Sequence, residues 1–204
     1  MAKGKGQKKG GNNEREKAKQ ISRWWTEGER DDVFWRDNSG ARATSRAKTG
    51  KSTAASYGDI VLQDPCGEAL LRICTIELKR GYNSLNTLDL LDCKSLKSNI
   101  FLSFWKQVLR DSVLAEKNGW GKCPLLITQR DRKNAVITMD NELFNKIIEY
   151  CGPLEKTNII RTILKKEEID VYSIILEDFF NWCNPRIFDR MFATNFKKKR
   201  RNLL

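Results

Sequence analysis

The residues with the clearest chemical potential are Glu77 and Lys79, which flank Leu78 in an apolar run. Side chains at positions i and i+2 of a β-strand project to the same face of a sheet. We therefore expect the Glu77 carboxylate and the Lys79 ammonium group to stand side by side, while Leu78 faces the core. An isolated Glu-x-Lys pair is more often an exposed pair of charges, so this pair indicates a site only if other groups join it.

Asp59 supplies a second carboxylate on the preceding predicted strand, residues 60–62. A turn over residues 64–67 follows that strand, and we expect residues 71–79 to form the next strand of a hairpin. The hairpin would bring two carboxylates and one lysine into a single pocket. These groups can bind Mg²⁺ through oxygen ligands and polarise a phosphodiester. An Asp after a Gly is also a common turn residue, which is the structural alternative for Asp59.

Glu14 is a third candidate acid. Asn13 and Glu16 have the spacing of a capping box, which predicts that a helix begins near Asn13. At about 100° per residue, Glu14 lies on the same helix face as the apolar stripe of Ala18, Ile21 and Trp25. It is thus placed at the N-terminal end of the stripe that packs on the sheet, within reach of a metal site. An acid in a first helical turn often only stabilises the helix dipole.

The composition excludes several classes of enzyme. The chain has no histidine, which rules out Ser-His-Asp and Cys-His catalysis, His-ligated zinc and nucleases with an imidazole base. Its six cysteines form no CxxC pair, which argues against a tetrahedral zinc site and favours reduced thiols. Any hydrolysis must therefore rely on carboxylates, Lys, Tyr or a metal ion.

The net charge of +12 over 204 residues lies mostly at the two ends of the chain. Lysines are frequent in residues 1–12, and residues 197–201 are all Lys or Arg. Such basic tails bind phosphate backbones without reading sequence, so the charge predicts nucleic acid as a partner. The alternative is a pair of solvated tails that only aid solubility. No apolar run approaches the ~20 residues of a membrane span, and we expect a soluble, cytoplasmic protein without a signal peptide.

The hydrophobic pattern predicts an α/β fold. Strands are expected at 33–35, 60–62, 71–79, 125–128 and 136–138, and helices from residue 13, from residue 101 to about 118, and over 142–150. The order is therefore helix, three strands, helix and two strands, which predicts a sandwich with a mixed sheet.

The two acidic motifs resemble a known signature. Gly58-Asp59-Ile60 followed by residues 76–81, Ile-Glu-Leu-Lys-Arg-Gly, resembles the PD-(D/E)XK nuclease signature. Residues 9–16 resemble the first helix of the Holliday-junction-resolvase and phage endonuclease branch, and residues 35–40 resemble its Arg-x-x-Ser-Gly turn. The resemblance covers roughly residues 9–140. Gly58 stands where the family usually has proline.

The resemblance implies roles for the candidate residues. Asp59, Glu77 and the backbone carbonyl of Leu78 would bind Mg²⁺, and Mn²⁺ would substitute for it. Lys79 would orient or help deprotonate the attacking water and offset charge in the transition state. Glu14 would be a further metal ligand through water.

The resemblance also implies a restriction-endonuclease-like core with a mixed five-stranded sheet flanked by helices. The chain is then expected to divide into a basic disordered tail, the nuclease-like core, a C-terminal extension of the same domain and a second basic tail, at 1–12, 13–150, 151–196 and 197–204.

Contacts with DNA are expected from the turn at Arg36 and from the polar loop that follows it. Hydroxyl and cationic groups in this loop suit phosphate oxygens, namely those of Ser39, Arg42, Ser45, Arg46 and Lys48. A solvated loop without contacts is an equally open alternative.

The sequence therefore predicts a Mg²⁺-dependent DNA endonuclease that acts on junctions, branched DNA or invading DNA. Two alternatives stay open, a non-catalytic DNA-binding or recombination accessory protein, and a nuclease of RNA or of a restriction-type complex. The resemblance implies carriage by a phage, hence the host cytoplasm as location. It also implies a homodimer, because two coordinated cuts need two sites.

Overall fold

The computed structural model describes residues 5–37, 57–92 and 95–201. The helices are α1 (Lys5–Trp25), α2 (Glu68–Ile73), α3 (Asp89–Asp92), α4 (Ile100–Lys117), α5 (Asn141–Cys151), α6 (Leu176–Trp182) and α7 (Arg186–Arg201). The strands are β1 (Phe34–Arg36), β2 (Ile60–Leu62), β3 (Cys74–Arg80), β4 (Cys123–Gln129), β5 (Val136–Asp140), β6 (Ile160–Leu164) and β7 (Ile169–Ile175).

Five of these strands form one mixed sheet in the order β3-β4-β5-β7-β6. The β3–β4 pair is parallel, and the chain crosses between these strands through α4, as a parallel connection requires. The other three pairs are antiparallel. Strands β1 and β2 form a separate antiparallel pair. The predicted α/β fold with a mixed five-stranded sheet flanked by helices is confirmed.

The predicted hairpin between residues 60–62 and 71–79 is wrong. The chain forms a short 3₁₀ turn at Pro65–Gly67 and then α2, so strand β3 begins only at Cys74. Helix α2 buries Leu70, Leu71 and Ile73 together, which a strand with alternating faces would not do. Strand β2 pairs with β1 instead, and the segment before β2 meets β3 through a parallel bridge between Gly58 and Ile76.

Helix α1 begins at Lys5, earlier than the predicted start near Asn13, so residues 5–12 are helical rather than part of a disordered tail. Asn13 is only 3% exposed, and its side-chain oxygen accepts a hydrogen bond from Arg80 Nη1 at 3.4 Å. This residue therefore joins the helix to β3, and it does not cap a helix end.

The segment 151–196, predicted as an extension, contributes strands β6 and β7 to the main sheet. Helix α7 from the same segment packs against α2. Two of the five predicted strands of the sheet, residues 33–35 and 60–62, are replaced by these C-terminal strands.

The two faces of the sheet carry different helices. On one face, Ile76 and Leu78 of β3 pack into a core shared with α1, α2, α5, α6 and α7. On the other face, α4 packs its own apolar stripe, including Trp105 and Val108, against Leu126 of β4. Glu77 and Lys79 project toward α4, because side chains alternate along β3. Among the described residues, no helix is long and apolar enough to cross a membrane.

Candidate active site

Asp59 is held on β3 by two backbone hydrogen bonds. Its N–H donates to the Ile76 carbonyl at 2.8 Å, and its Oδ2 accepts from the Leu78 N–H at 2.8 Å. The structure thus brings Asp59 to the strand that carries Glu77 and Lys79, as predicted, although it does so without the predicted hairpin.

Gly58 makes this close approach possible. Its φ is +83°, and a Cβ at this position would lie 2.4 Å from the Ile76 carbonyl oxygen. A proline, with φ fixed near −65°, cannot adopt this conformation. The departure from the usual family pattern therefore has a local geometric reason.

Substitution of Gly58 by Ala is expected to lower the free energy of unfolding by about 3 kcal/mol, because left-handed strain adds to a backbone clash. Gly28→Ala is the matched control, since Gly28 also has a positive φ, +97°, but a Cβ added there would have no neighbour within 4 Å. Chemical denaturation of both variants gives the comparison. Equal losses would contradict the claim that contact with Ile76 excludes a side chain at position 58.

Glu77 is 2% exposed and is the most enclosed member of the group. Its Oε1 accepts hydrogen bonds from Lys79 Nζ and from Gln107 Nε2 of α4, the latter at 2.6 Å. The Glu77 carboxyl also lies close enough to Asp59 for its charge to raise the pKa of that residue. Two carboxyls and one ammonium group therefore converge, with an amide fixing the orientation of Glu77.

Gln107 is a site residue that the sequence did not predict. The only indication in the sequence is that Gln107 is a neutral polar residue at the border of the apolar stripe of α4, between Phe104 and Val108. Periodicity alone could not show that this border faces Glu77, because the angle at which α4 crosses the sheet is a tertiary property.

Gln107→Ala is expected to lower kcat for DNA cleavage by about 10- to 100-fold, since a hydrogen bond to a charged group is lost. KM should change little, because the amide acts by orienting Glu77. Ser103→Ala, an exposed position on the same helix, is the control. A Gln107 variant with wild-type kcat would remove this residue from the site.

Burial raises the pKa of Asp59 to about 7, and the negative charges of Glu77 and Glu14 add to this effect. Burial also raises the pKa of Glu77. At Lys79, burial alone would lower the pKa, but the hydrogen bond and charge of Glu77, together with the charge of Asp59, outweigh it and raise the pKa. Lys79 therefore stays protonated at neutral pH, which suits donating hydrogen bonds and offsetting charge better than accepting a proton.

The raised pKa of Asp59 predicts a pH-dependent stability in metal-free protein. Between pH 3.8 and about 7 the folded chain binds a proton that the unfolded chain has lost, so stability falls as pH rises through this window. Asp59→Asn, which removes the charge, is expected to raise Tm at pH 8 by on the order of 5 °C, and the gain should vanish near pH 4.

Thermal unfolding in EDTA at pH 4, 6 and 8 measures this effect. Asp31→Asn is the control, and it should lower Tm at pH 8 where Asp59→Asn raises it. The reason is that the hydrogen bond from Lys19 lowers the pKa of Asp31, so the charged form stabilises the fold. A Tm change for Asp59→Asn that is the same at all three pH values would contradict the claim that the buried Asp59 charge destabilises the folded protein.

The oxygen atoms of this group fit a hard divalent cation. The N–H and C=O of one strand residue point to the same side, so the Leu78 carbonyl lies on the side of β3 from which its N–H meets Asp59. Two carboxylates and a carbonyl are ligands of the type that Mg²⁺ takes, together with water. No cluster of three or more acidic or Cys side chains suited to a metal occurs in the described part of the chain.

Glu14 and Arg36 lie next to this group and form an ion pair with each other, Oε2 to Nη1 at 3.4 Å. The charge of Glu14 reaches Asp59, whose pKa it raises. Arg36 is 17% exposed, and its contact with DNA remains a prediction. The predicted loop residues Ser39, Arg42, Ser45, Arg46 and Lys48 lie outside the described residues.

An aromatic pair borders the ammonium group. Lys79 Nζ lies 5.4 Å from the ring centroid of Phe104, against which the ring of Tyr82 packs edge-on with centroids 4.6 Å apart. The two rings therefore lie beside the ammonium group, and Tyr82 is 45% exposed next to the site.

Comparison with known proteins gives one informative match. A family model described as "Phage putative PDDEXK endonuclease" matches residues 5–189, a span that includes every described residue of the site. Neither the curated proteins nor the solved structures that were compared give a match.

Proposed function

We propose, from the premise that the chain belongs to the phage PDDEXK endonuclease family, that it is a Mg²⁺-dependent DNA endonuclease. Asp59, Glu77 and Lys79 are its proposed catalytic residues. One observation carries the assignment, which is the hydrogen bond from the Leu78 N–H to Asp59 that fixes the aspartate beside the Glu77–Lys79 pair. Nucleases of this kind generally use divalent metals.

Asp59, Glu77 and the Leu78 carbonyl are the proposed metal ligands. A bound divalent cation supplies Lewis-acid polarisation of a phosphate oxygen. Asp59 and Glu77 repel each other in a partly buried pocket. A bound cation would relieve this repulsion, which favours cation binding at the pair. Glu14 is proposed to reach the same ion through water.

Lys79 is proposed to act on the scissile phosphate and the water that attacks it. As an ammonium group beside Glu77, it can donate a hydrogen bond to that water and offset the negative charge that develops on the phosphate oxygens. Gln107 keeps the Glu77 carboxylate in its orientation while Lys79 contacts substrate.

DNA is the proposed substrate, with branched or junction DNA as the preferred form. The basic residues at 197–201 and the predicted loop contacts would bind phosphates without reading sequence. As a phage protein, the enzyme is proposed to act in the host cytoplasm.

A cleavage assay on duplex, single-stranded and four-way-junction DNA, with RNA as a fourth substrate, tests this function. We expect cleavage of DNA with Mg²⁺, cleavage with Mn²⁺ in its place, and none in EDTA. Cleavage in EDTA would contradict the metal site. Tight DNA binding without cleavage in either metal would favour the non-catalytic accessory protein. Cleavage of RNA alone would favour a nuclease directed at RNA.

A further inference from the structure

Strand β6 forms an open edge of the main sheet. It pairs only with β7 in the described sheet, whereas β3, at the opposite edge, is bridged by Gly58. Three isoleucines at this edge are exposed, Ile159 at 39%, Ile160 at 52% and Ile163 at 52%. An open edge with apolar side chains is a template for pairing with another strand.

The usual protections of an edge strand are missing from β6. It contains no proline, and its one charged side chain, Arg161, is turned toward β7. Arg161 pairs there with Asp170, with N–O distances of 2.9 and 2.7 Å, and its guanidinium lies 5.2 Å from the ring of Tyr172. The charge is thus satisfied within the sheet and does not repel a strand that approaches the edge.

We propose that β6 is a dimerisation strand, which pairs antiparallel with β6 of a second copy of this chain and joins the two sheets into one. The proposal goes beyond the nuclease function and does not depend on it. It identifies the interaction surface as the edge defined by Ile160–Leu164.

The sequence of the edge favours a second copy as its occupant, because it is complementary to itself. Antiparallel pairing about Thr162 places Ile160 opposite Leu164 of the other copy, an apolar pair on one face of the joined sheet. The same register places Ile163 opposite Arg161 of the other copy on the second face, where the isoleucine can pack on the apolar part of the arginine side chain. A two-fold axis repeats each of these contacts.

The geometry leaves the candidate active site open. β6 lies at the far edge of the sheet from β3, so pairing at β6 covers none of Asp59, Glu77 and Lys79. A five-residue strand pair is small compared with the ~800 Å² per partner of a stable interface, so the dimer should depend on protein concentration.

Sedimentation velocity of the full chain without DNA, from about 1 to 100 µM, tests the proposal. We expect the mass to rise with concentration from 23.6 kDa toward about 47 kDa. The double variant Ile160→Lys/Ile163→Lys should stay monomeric, because desolvated ammonium groups oppose the strand pair. Near-ultraviolet circular dichroism checks that the variant is folded.

The matched control is Val113→Lys/Leu114→Lys on α4. Val113 and Leu114 are each 52% exposed, the same exposure as Ile160 and Ile163, but they lie away from the sheet edge. This control should dimerise like the wild type. A wild-type chain that is monomeric throughout, or a β6 variant that dimerises as well as the control, would overturn the proposal. Mass is independent of cleavage, so failure of the nuclease function leaves this test valid.

Discussion

Replacing Asp59 by Asn, or Glu77 by Gln, is expected to reduce DNA cleavage by about a thousandfold or more. Each change removes one negative oxygen ligand while it keeps the shape of the side chain. Metal ions supply several kcal/mol of charge stabilisation in such reactions, and about 1.4 kcal/mol corresponds to a tenfold change in rate. Single-turnover cleavage at saturating Mg²⁺ measures the effect.

Asp111→Asn is the matched control for both variants. Asp111 lies close enough for its charge to raise the pKa of Glu77, but it does not belong to the proposed ligand set. Its amide variant should keep cleavage within about tenfold of the wild type. If Asp59→Asn or Glu77→Gln cleaves as fast as this control, while circular dichroism shows all three folded, the assignment of the metal ligands is wrong.

Lys79→Met is expected to lower kcat by about a hundredfold to a thousandfold, the size of loss seen when one preorganised charge-stabilising donor is removed. Methionine retains an apolar stem against Phe104, so the loss should report the ammonium group. Lys106→Met is the control, since Lys106 lies on α4 and pairs with Glu167 at an exposed position. Steady-state kinetics of both variants separates kcat from KM.

Lys79→Arg distinguishes two roles of the side chain. Guanidinium keeps the positive charge but cannot lose a proton in proteins. Partial activity in Lys79→Arg is expected, because the raised pKa of Lys79 indicates an ammonium group that offsets charge. An inactive Lys79→Arg together with a Lys79→Met variant rescued by high pH would contradict this role and favour a lysine that accepts a proton.

The local part of the site was predictable from the sequence. The i, i+2 rule places Glu77 and Lys79 on one face of β3 whatever the neighbouring strands are, and Leu78 is buried on the other face as expected. The family could also be predicted, because its motifs are short local patterns, and the match over residues 5–189 confirms it.

The hairpin could not be predicted correctly, because a short apolar run fits a buried strand and a buried helix equally well. Leu70, Leu71 and Ile73 form such a run, and their packing against the rest of the core favours helix α2. Asp59 nevertheless reaches β3, because Gly58 allows the backbone to come close to Ile76. The pattern of apolar and polar residues does not predict this backbone contact.

Strand β6 was hidden for a different reason. Every residue of β6 is at least partly exposed, so this strand lacks the alternation of buried and polar residues that marks a strand in sequence. It is recognised only through its pairing with β7, which is a tertiary contact. The same exposure is what makes β6 a candidate interface.

The most direct test of the central claim is a titration of metal-free protein with Mn²⁺, followed by electron paramagnetic resonance. If Asp59 and Glu77 together hold a divalent cation, the wild type and Asp111→Asn should bind saturably, and Asp59→Asn and Glu77→Gln should lose that binding. Equal Mn²⁺ binding by all four folded proteins, or none by the wild type, would contradict a metal site at these two carboxylates.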